Sequence, residues 1–282
     1  MRAGGTGLGR LLPGMQTMGN LLRLRSRGTR GDRGLLSLSE APLRSVKGVL
    51  SHLLDLIFVP LCPVCRSPLR NGGPFCEGCS RTIRRALPPI CPQCGLPFPE
   101  GTEGHLCGDC LSGKFRFLLH RSYGIYEGAL KEAIHRFKYG RDLLLVEPLG
   151  DFLLEACEDL RSRGIDLLIP VPLHPRRLRE RGFNQSLLLA RHLSKRLGLP
   201  CEAEVLVKVK DTPSQTSLSP AERQRAVRGA FEVLRGERIR EKRVLLVDDV
   251  FTTGATVNEA SRVLLRAGAE EVLVITLARS VG

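Results

Sequence analysis

The sequence predicts an α/β fold, with a largely parallel sheet and helices on both faces, preceded by a small cysteine-rich metal module. Two observations predict this division. Eight of the ten cysteines form four Cys-x-x-Cys pairs between residues 62 and 110. From about residue 118 onwards, strand-like apolar runs alternate with amphipathic helical stretches, which is the order typical of parallel sheets covered by helices.

Hydrophobic periodicity predicts the individual elements of an α/β domain over 118–282. The predicted strands lie at 119–126, 166–171, 204–209, 243–249 and 271–278. The predicted helices lie near 127–138, 145–161, 184–197, 220–229 and 255–268.

The N-terminal segment is strongly basic. Residues 1–47 hold nine basic and two acidic residues, which is half of the net charge of +14. They lack sustained periodicity, so we expect a disordered basic tail. A mitochondrial-type presequence and translated sequence upstream of the true start are the alternatives, and in both the mature protein lacks this segment. Residues 48–60 predict a short amphipathic helix, too short to span a bilayer.

The cysteine spacing predicts a double zinc ribbon over 61–112. Two Cys-x-x-Cys turns supply the four thiolates that tetrahedral zinc accepts, and the sites are expected to be structural because no coordination position stays open. Sequential pairing assigns one zinc to Cys62, Cys65, Cys76 and Cys79 and a second to Cys91, Cys94, Cys107 and Cys110. An interleaved pairing and iron–sulfur clusters, which also use four thiolates, are the alternatives.

Composition indicates the cellular compartment of the protein and makes binding of nucleic-acid bases by stacking less expected. Cysteine pairs at this spacing favour metal thiolates over a disulfide framework, which indicates a reducing compartment. No run of about 18 apolar residues occurs, so we expect a cytoplasmic protein without a membrane span. Aromatic residues make up only 5% of the chain, with no Trp, which weakens functions that depend on base stacking.

One stretch predicts a sugar-phosphate site. An apolar strand ends in Asp248 and Asp249, and the turn that follows opens a helix. A helix N-terminus offers free N–H groups and a positive dipole end to an anion, while carboxylates accept hydrogen bonds from ribose hydroxyls. An acidic turn that only caps the helix is the bland alternative. The predicted binding residues here are Asp248, Asp249, Thr252, Thr253, Gly254, Ala255 and Thr256.

This stretch resembles the phosphoribosyl pyrophosphate motif of the type I phosphoribosyltransferases. The resemblance implies that the acids contact the ribose hydroxyls, that the turn cradles the 5′-phosphate, and that Mg²⁺ is held mostly by the substrate's own oxygens. Arg176 and Arg177 stand where that family keeps its pyrophosphate loop, and Lys210 lies in a segment, 208–219, that looks like its mobile hood. Thr252 stands where purine-salvage relatives carry an acidic base candidate, so no catalytic residue is assigned.

Further motifs resemble a narrower family. They are Phe-Lys-Tyr-Gly at 137–140, His-Pro-Arg-Arg at 174–177, Arg-Gly-Phe-Asn-Gln at 181–185 and Asp-Thr-Pro-Ser-Gln-Thr at 211–216. Together with the cysteine pairs they resemble the ComF family, from about residue 50 to the end. The resemblance implies a link to DNA uptake during competence and transfer of phosphoribosyl to a nitrogen acceptor. The alternative is a non-catalytic module of the same fold that binds single-stranded DNA or a competence helicase.

Overall fold

The computed structural model describes residues 60–69, 73–212 and 220–281. Side chains of residues 220, 221, 223 and 224 are not described. The predicted tail, nearly all of the predicted helix at 48–60, and residues 213–219 of the predicted hood lie outside these ranges.

The described residues form helices and strands in the alternating order that the sequence predicts. The helices are α1 Glu77–Arg81, α2 Gly108–Leu111, α3 Gly128–Tyr139, α4 Val146–Ala156, α5 Glu158–Arg161, α6 Pro175–Arg181, α7 Gln185–Leu197, α8 Pro220–Val227 and α9 Ala255–Arg266. The strands are β1 Leu119–Ile125, β2 Leu167–Pro170, β3 Leu206–Lys208, β4 Phe231–Val233, β5 Arg243–Phe251 and β6 Glu271–Arg279. Short 3-10 helices lie at Leu143–Leu145 and Gly236–Arg238. In the described part of the chain, no helix combines the length and apolar character needed to cross a bilayer.

The main sheet has four strands in the order β1-β6-β5-β2, and every neighbouring pair is parallel. Strand β5 is therefore central, and Asp248 lies opposite Thr276 of β6. Strands β3 and β4 form a separate antiparallel pair. The carboxyl ends of parallel strands meet at one edge, which is where open α/β sheets bind ligands.

Each face of the sheet carries its own apolar core, because alternate residues of a strand point to opposite faces. On β5, Leu245 and Val247 belong to one core, which helices α3, α4 and α7 cover. Val244 and Leu246 belong to the other core, to which α9 contributes Val257, Ala260 and Leu264. The predicted arrangement, a parallel sheet with helices on both faces, is confirmed.

Three local features differ from the predicted elements. Strand β5 continues two residues beyond the predicted end at 249, because pairing with β6 extends to Phe251. Helix α6 was not predicted; it begins at Pro175 because the His174 side chain accepts a hydrogen bond from the Arg176 N–H. Strand β4 spans only three residues, which is too short for alternation to reveal it.

Candidate functional site

The two acids of β5 lie in a network of buried polar side chains. Asp248 and Asp249 are only 8% and 4% exposed. Lys138 of α3 places its Nζ 2.7 Å from Asp249 Oδ1, and Gln185 at the start of α7 donates from Nε2 to Asp249 Oδ2 at 2.6 Å. Asp248 Oδ1 accepts from Ser186 Oγ at 3.0 Å and from the Asp249 N–H at 2.9 Å. Three elements therefore fix the orientation of both carboxylates.

The environment separates the two carboxyls electrostatically. Burial, reinforced by the neighbouring Asp249, raises the pKa of Asp248 to about 7. Lys138 keeps a raised pKa although its burial acts in the opposite direction, because the Asp249 carboxylate stabilises the ammonium. The pair therefore holds one carboxylate matched by a lysine and a second carboxyl that titrates near neutrality.

The turn after β5 leaves the N-terminus of α9 open. The residue before the first turn is Gly254, with a φ of 74° and no side-chain cap on the helix N–H groups. A Cβ at this position would lie 2.5 Å from the Phe251 ring and 2.8 Å from the Phe115 ring. Only glycine satisfies both the left-handed backbone and the tight space, so the backbone turns sharply and leaves N–H groups for an anion.

Thr253 gives independent information about this turn. Its Oγ1 is buried and makes no hydrogen bond with any described residue. A buried hydroxyl without a partner is costly. The turn therefore contains a hydroxyl whose hydrogen-bonding capacity the described residues do not use.

The predicted pyrophosphate arginines lie on α6 and face the start of the predicted hood. Arg176 Nη1 lies 3.1 Å from Asp211 Oδ2, and Arg177 donates from Nη2 to the Thr212 carbonyl at 2.9 Å. Arg177 also lines a cavity of about 180 Å³ together with Lys138. Arg177 and Lys138, the lysine that pairs with Asp249, therefore share one cavity.

Lys210 lies elsewhere. Its Nζ donates to the Arg228 carbonyl at 3.0 Å, and it lines a groove that also includes Ala255. Lys208, two residues earlier, is instead close enough to Asp248 for the carboxylate to oppose the lowering of the lysine pKa that burial causes. Lys208, the last residue of β3, therefore lies near the acids, whereas Lys210 lies at the groove beside α9.

The cysteines form two compact sets of four. In each set, every pair of Sγ atoms lies within 4.8 Å. The Sγ atoms lie 3.3 Å apart in Cys65 and Cys76, 3.6 Å apart in Cys91 and Cys110, and 3.5 Å apart in Cys94 and Cys107. Zinc–sulfur bonds of about 2.3 Å in a tetrahedron place sulfurs about 3.8 Å apart. Both sets fit tetrahedral zinc, and their membership is that of the sequential pairing.

The two metal sites pack on opposite faces of the sheet. Cys62 belongs to the core beneath α4, whereas the four cysteines of the second set are all buried in the core beneath α9. The carbonyl of Cys94 accepts hydrogen bonds from His120 Nδ1, at 2.8 Å, and from the Arg279 guanidinium. The rings of His120 and Phe251 stack at 4.2 Å, so His120 connects the second cysteine set to the last residue of β5, next to the turn 252–256.

Comparisons with known proteins match both the cysteine region and the sheet domain. Family models match the chain as a double zinc ribbon domain over residues 53–111 and as a phosphoribosyl transferase domain over residues 184–280. DNA utilization protein YhgH of Escherichia coli (strain K12) is 37% identical over 232 residues, which cover 80% of this chain and 100% of that protein. Competence protein F of Haemophilus influenzae is 34% identical, over 78% and 96% of the two chains. The chain belongs to the ComF family. Competence protein ComFC of Streptococcus pneumoniae is more distant, 29% identical over 78% of this chain and 87% of that protein.

Sequence reasoning missed the donors that hold the acids of this ComF-family chain. Lys138, Gln185 and Ser186 were not assigned to the site. A signal for Lys138 exists, because Leu130, Ile134 and Lys138 are spaced by four residues and a cation therefore falls on the buried face of α3. The Ser186 contact bridges 62 residues and the Lys138 contact 111, and no local pattern reports such pairing.

Proposed function

We propose that this ComF-family protein binds phosphoribosyl pyrophosphate with Mg²⁺ at the carboxyl end of β5. The observation that carries the proposal is the uncapped N-terminus of α9. It is joined to the two buried carboxylates of β5 by a turn in which the Thr253 hydroxyl has no hydrogen-bond partner among the described residues. The turn 252–256 accepts the 5′-phosphate through backbone N–H groups. Asp248 and Asp249 accept hydrogen bonds from the ribose hydroxyls.

The internal network leaves the acids able to accept a ligand. An ionised carboxylate has about four acceptor positions, and the described partners of Asp249 take one on each oxygen. Lys138 and Gln185 thus orient the carboxylate while other lone pairs stay available. Because both acids are largely covered, a ligand reaches them only when the described side chains around them rearrange.

A transfer reaction is the finer part of the proposal. A nitrogen nucleophile forms a bond to the anomeric carbon while the bond from that carbon to pyrophosphate breaks, and the proton leaves the nitrogen. Mg²⁺, when bound through the substrate's oxygens, neutralises charge on the leaving group. Arg177 and Lys138 lie together and supply fixed positive charge for the same pyrophosphate. Thr252 does not act as a base at neutral pH, and no residue is proposed for that role.

A non-catalytic competence module is the second candidate. Two observations favour it: the acids are almost fully covered, and an acidic group is replaced by Thr252. The relatives named for competence and DNA utilization support a role in DNA uptake for either candidate. Under this second hypothesis, the same fold contacts single-stranded DNA or a competence helicase and does no chemistry.

A thermal shift experiment tests ligand binding. Phosphoribosyl pyrophosphate with Mg²⁺ at about 100 times its Kd stabilises the native state by about 2.7 kcal/mol, which corresponds to roughly 5 to 10 °C. We expect Asp249→Asn to lose this shift, because the variant has one acceptor oxygen fewer. The exposed Asp159→Asn, the matched control, keeps it.

The outcomes separate the two candidates. Since Asp249→Asn leaves Lys138 buried without its partner, the double variant Asp249→Asn/Lys138→Met is measured alongside it. Absence of a shift in the unmodified protein would overturn the binding proposal. DNA binding by such a protein would then support the non-catalytic module.

A further inference from the structure

A buried arginine without a carboxylate partner lies against the second set of cysteines. Arg279, the last residue of β6, is only 6% exposed. Its guanidinium donates to the Cys94 carbonyl and lies over the Phe251 ring, with Cζ 4.8 Å from the ring centroid. Its Nε is buried and makes no hydrogen bond with any described residue, and no carboxylate of the described residues forms an ion pair with the guanidinium. A buried cation is costly unless an opposite charge compensates it.

A second arginine beside the same cysteines is already neutralised. Arg121 of β1 donates from Nη1 to the Pro92 carbonyl at 3.1 Å, within the Cys-x-x-Cys turn 91–94. Its Nε lies 3.2 Å from Asp159 Oδ2. Of the two arginines that donate to this turn, Arg279 is therefore the one whose charge the described carboxylates leave unmatched.

The second set of cysteines supplies the missing negative charge once zinc is bound. Four thiolates around one Zn²⁺ leave two negative charges on the site. All four of these cysteines are buried, so water does little to screen that charge. The guanidinium and the zinc–thiolate group are thus two buried charges of opposite sign in neighbouring positions.

The first set of cysteines has no comparable need. Cys65 of that set is exposed, so water screens its thiolate. The arginine nearest to it, Arg136, donates to the Val64 carbonyl at 3.2 Å but lies 3.7 Å from Asp142 Oδ2, which matches its charge. The first site therefore serves as an internal comparison within the same chain.

The Arg279 charge acts directly on a ligand of the second site. Burial raises the pKa of the Cys94 thiol to about 11, and the positive charge of Arg279 is the chief influence in the opposite direction. Because charges interact strongly where water is excluded, the guanidinium favours the thiolate form that zinc requires.

We propose that Arg279 is the counter-ion of the second zinc site, and that its charge, more than its hydrogen bond, sets the affinity of that site for Zn²⁺. The guanidinium offsets one of the two negative charges of the loaded site, and the loaded site compensates the buried guanidinium in return. The role is independent of phosphoribosyl pyrophosphate binding. Zinc and Arg279 therefore stabilise each other on the face of the sheet that carries α9.

Competition with a chelator of known zinc affinity, on the full zinc-loaded chain, tests the proposal. Arg279→Gln removes the charge but keeps an amide donor, whereas Arg279→Lys keeps the charge. Arg121→Gln is the matched control, because Arg121 donates to the same turn but has its own carboxylate partner. Cys65→Ser, which removes a ligand of the first site, assigns the two zinc ions.

The affinities should follow the charge of residue 279. We expect Arg279→Gln to weaken the second site by about 10- to 100-fold, the range typical for loss of an outer partner of a metal ligand. Arg279→Lys should recover most of that loss. The first site in every Arg279 variant, and both sites in Arg121→Gln, should stay within about threefold of the unmodified protein.

Thermal unfolding separates a counter-ion from a residue that only packs. Arg279→Met should lower the melting temperature of the zinc-loaded protein by roughly 3 to 10 °C, in step with the lost zinc affinity. It should not lower that of the zinc-free protein, because the substitution also removes an uncompensated buried cation.

Three results would overturn the proposal. One is Arg279→Gln with unchanged zinc affinity, since the hydrogen bond would then be the whole role of the side chain. Another is an equal loss in Arg121→Gln, since any arginine on the turn would then have the same effect. The third is an equal fall of melting temperature with and without zinc in Arg279→Met, which would assign Arg279 to packing alone.

Discussion

At the scale of single residues, the two adjacent carboxyls of β5 carry different tasks because they have different partners. Asp249 has a lysine at 2.7 Å and an amide donor. Asp248 is fully enclosed, and burial together with its neighbour raises its pKa from 3.8 to about 7. A group whose pKa is raised by folding binds its proton more tightly in the native state, and that proton contributes stability.

Asp248 should therefore make stability fall as the pH rises. Its contribution is fully present below about pH 4 and is lost as the pH rises through about 7. Asp248→Asn removes this dependence. Between about pH 5 and about pH 8 the variant therefore gains about 3 kcal/mol relative to the unmodified protein, because about two of the pH units that separate the unfolded and folded pKa values lie in this window. Urea unfolding at both pH values measures the difference, and effects on the metal sites cancel because both proteins share them. Parallel pH profiles for the two proteins would contradict it.

At the scale of the element, the start of α9 depends on one glycine. Gly254 and Gly198 have nearly equal φ angles, 74° and 69°, so alanine meets similar backbone strain at both. Around Gly198 an added Cβ meets nothing within 4 Å, whereas at Gly254 it meets Phe251 and Phe115. These rings belong to the core beneath α9, next to the turn 252–256.

Gly254→Ala should therefore cost more than Gly198→Ala. Left-handed strain alone costs about 1–2 kcal/mol, and overpacking adds about 1–3 kcal/mol. Chemical denaturation gives the two free energies of unfolding. Equal losses would show that the aromatic rings move aside without cost, and the turn would then tolerate a side chain.

The elements that the sequence predicts are those with a continuous apolar face. Alternation and helical periodicity locate the long strands and helices, because each buries one continuous apolar face. Periodicity does not reveal helix α6, because its sequence, PRRLRER, has no apolar stripe and its start depends on a histidine cap. At the site, the turn 252–256 is local and therefore readable. Lys138 reaches Asp249 only because α3 packs on the sheet. The placement of Arg177 and Lys210 at different cavities also depends on tertiary packing, which no local sequence pattern reports.

At the scale of the whole molecule, the ribbons are parts of the sheet domain's two cores. The second site is the more enclosed, with all four cysteines buried, while Cys65 of the first is exposed. The second site is also connected to the turn 252–256, since His120 and Arg279 link the Cys94 carbonyl to the ring of Phe251, the residue before the turn. The second metal site, on the face that carries α9, is therefore the one expected to control order in the turn.

Chelation should separate the two sites in time. The first site, with an exposed thiolate, releases zinc first, and α9 keeps its protection from hydrogen exchange during that phase. Release from the second site removes the support of Phe251, and protection of the first turn of α9, where the Asn258 N–H donates to the Gly254 carbonyl at 2.9 Å, falls with it. Zinc release and exchange mass spectrometry are followed in parallel, and Cys65→Ser, which removes the first phase, assigns it. If protection of α9 instead falls with the first zinc, the support does not pass through Cys94, and the two ribbons act on the site as one unit.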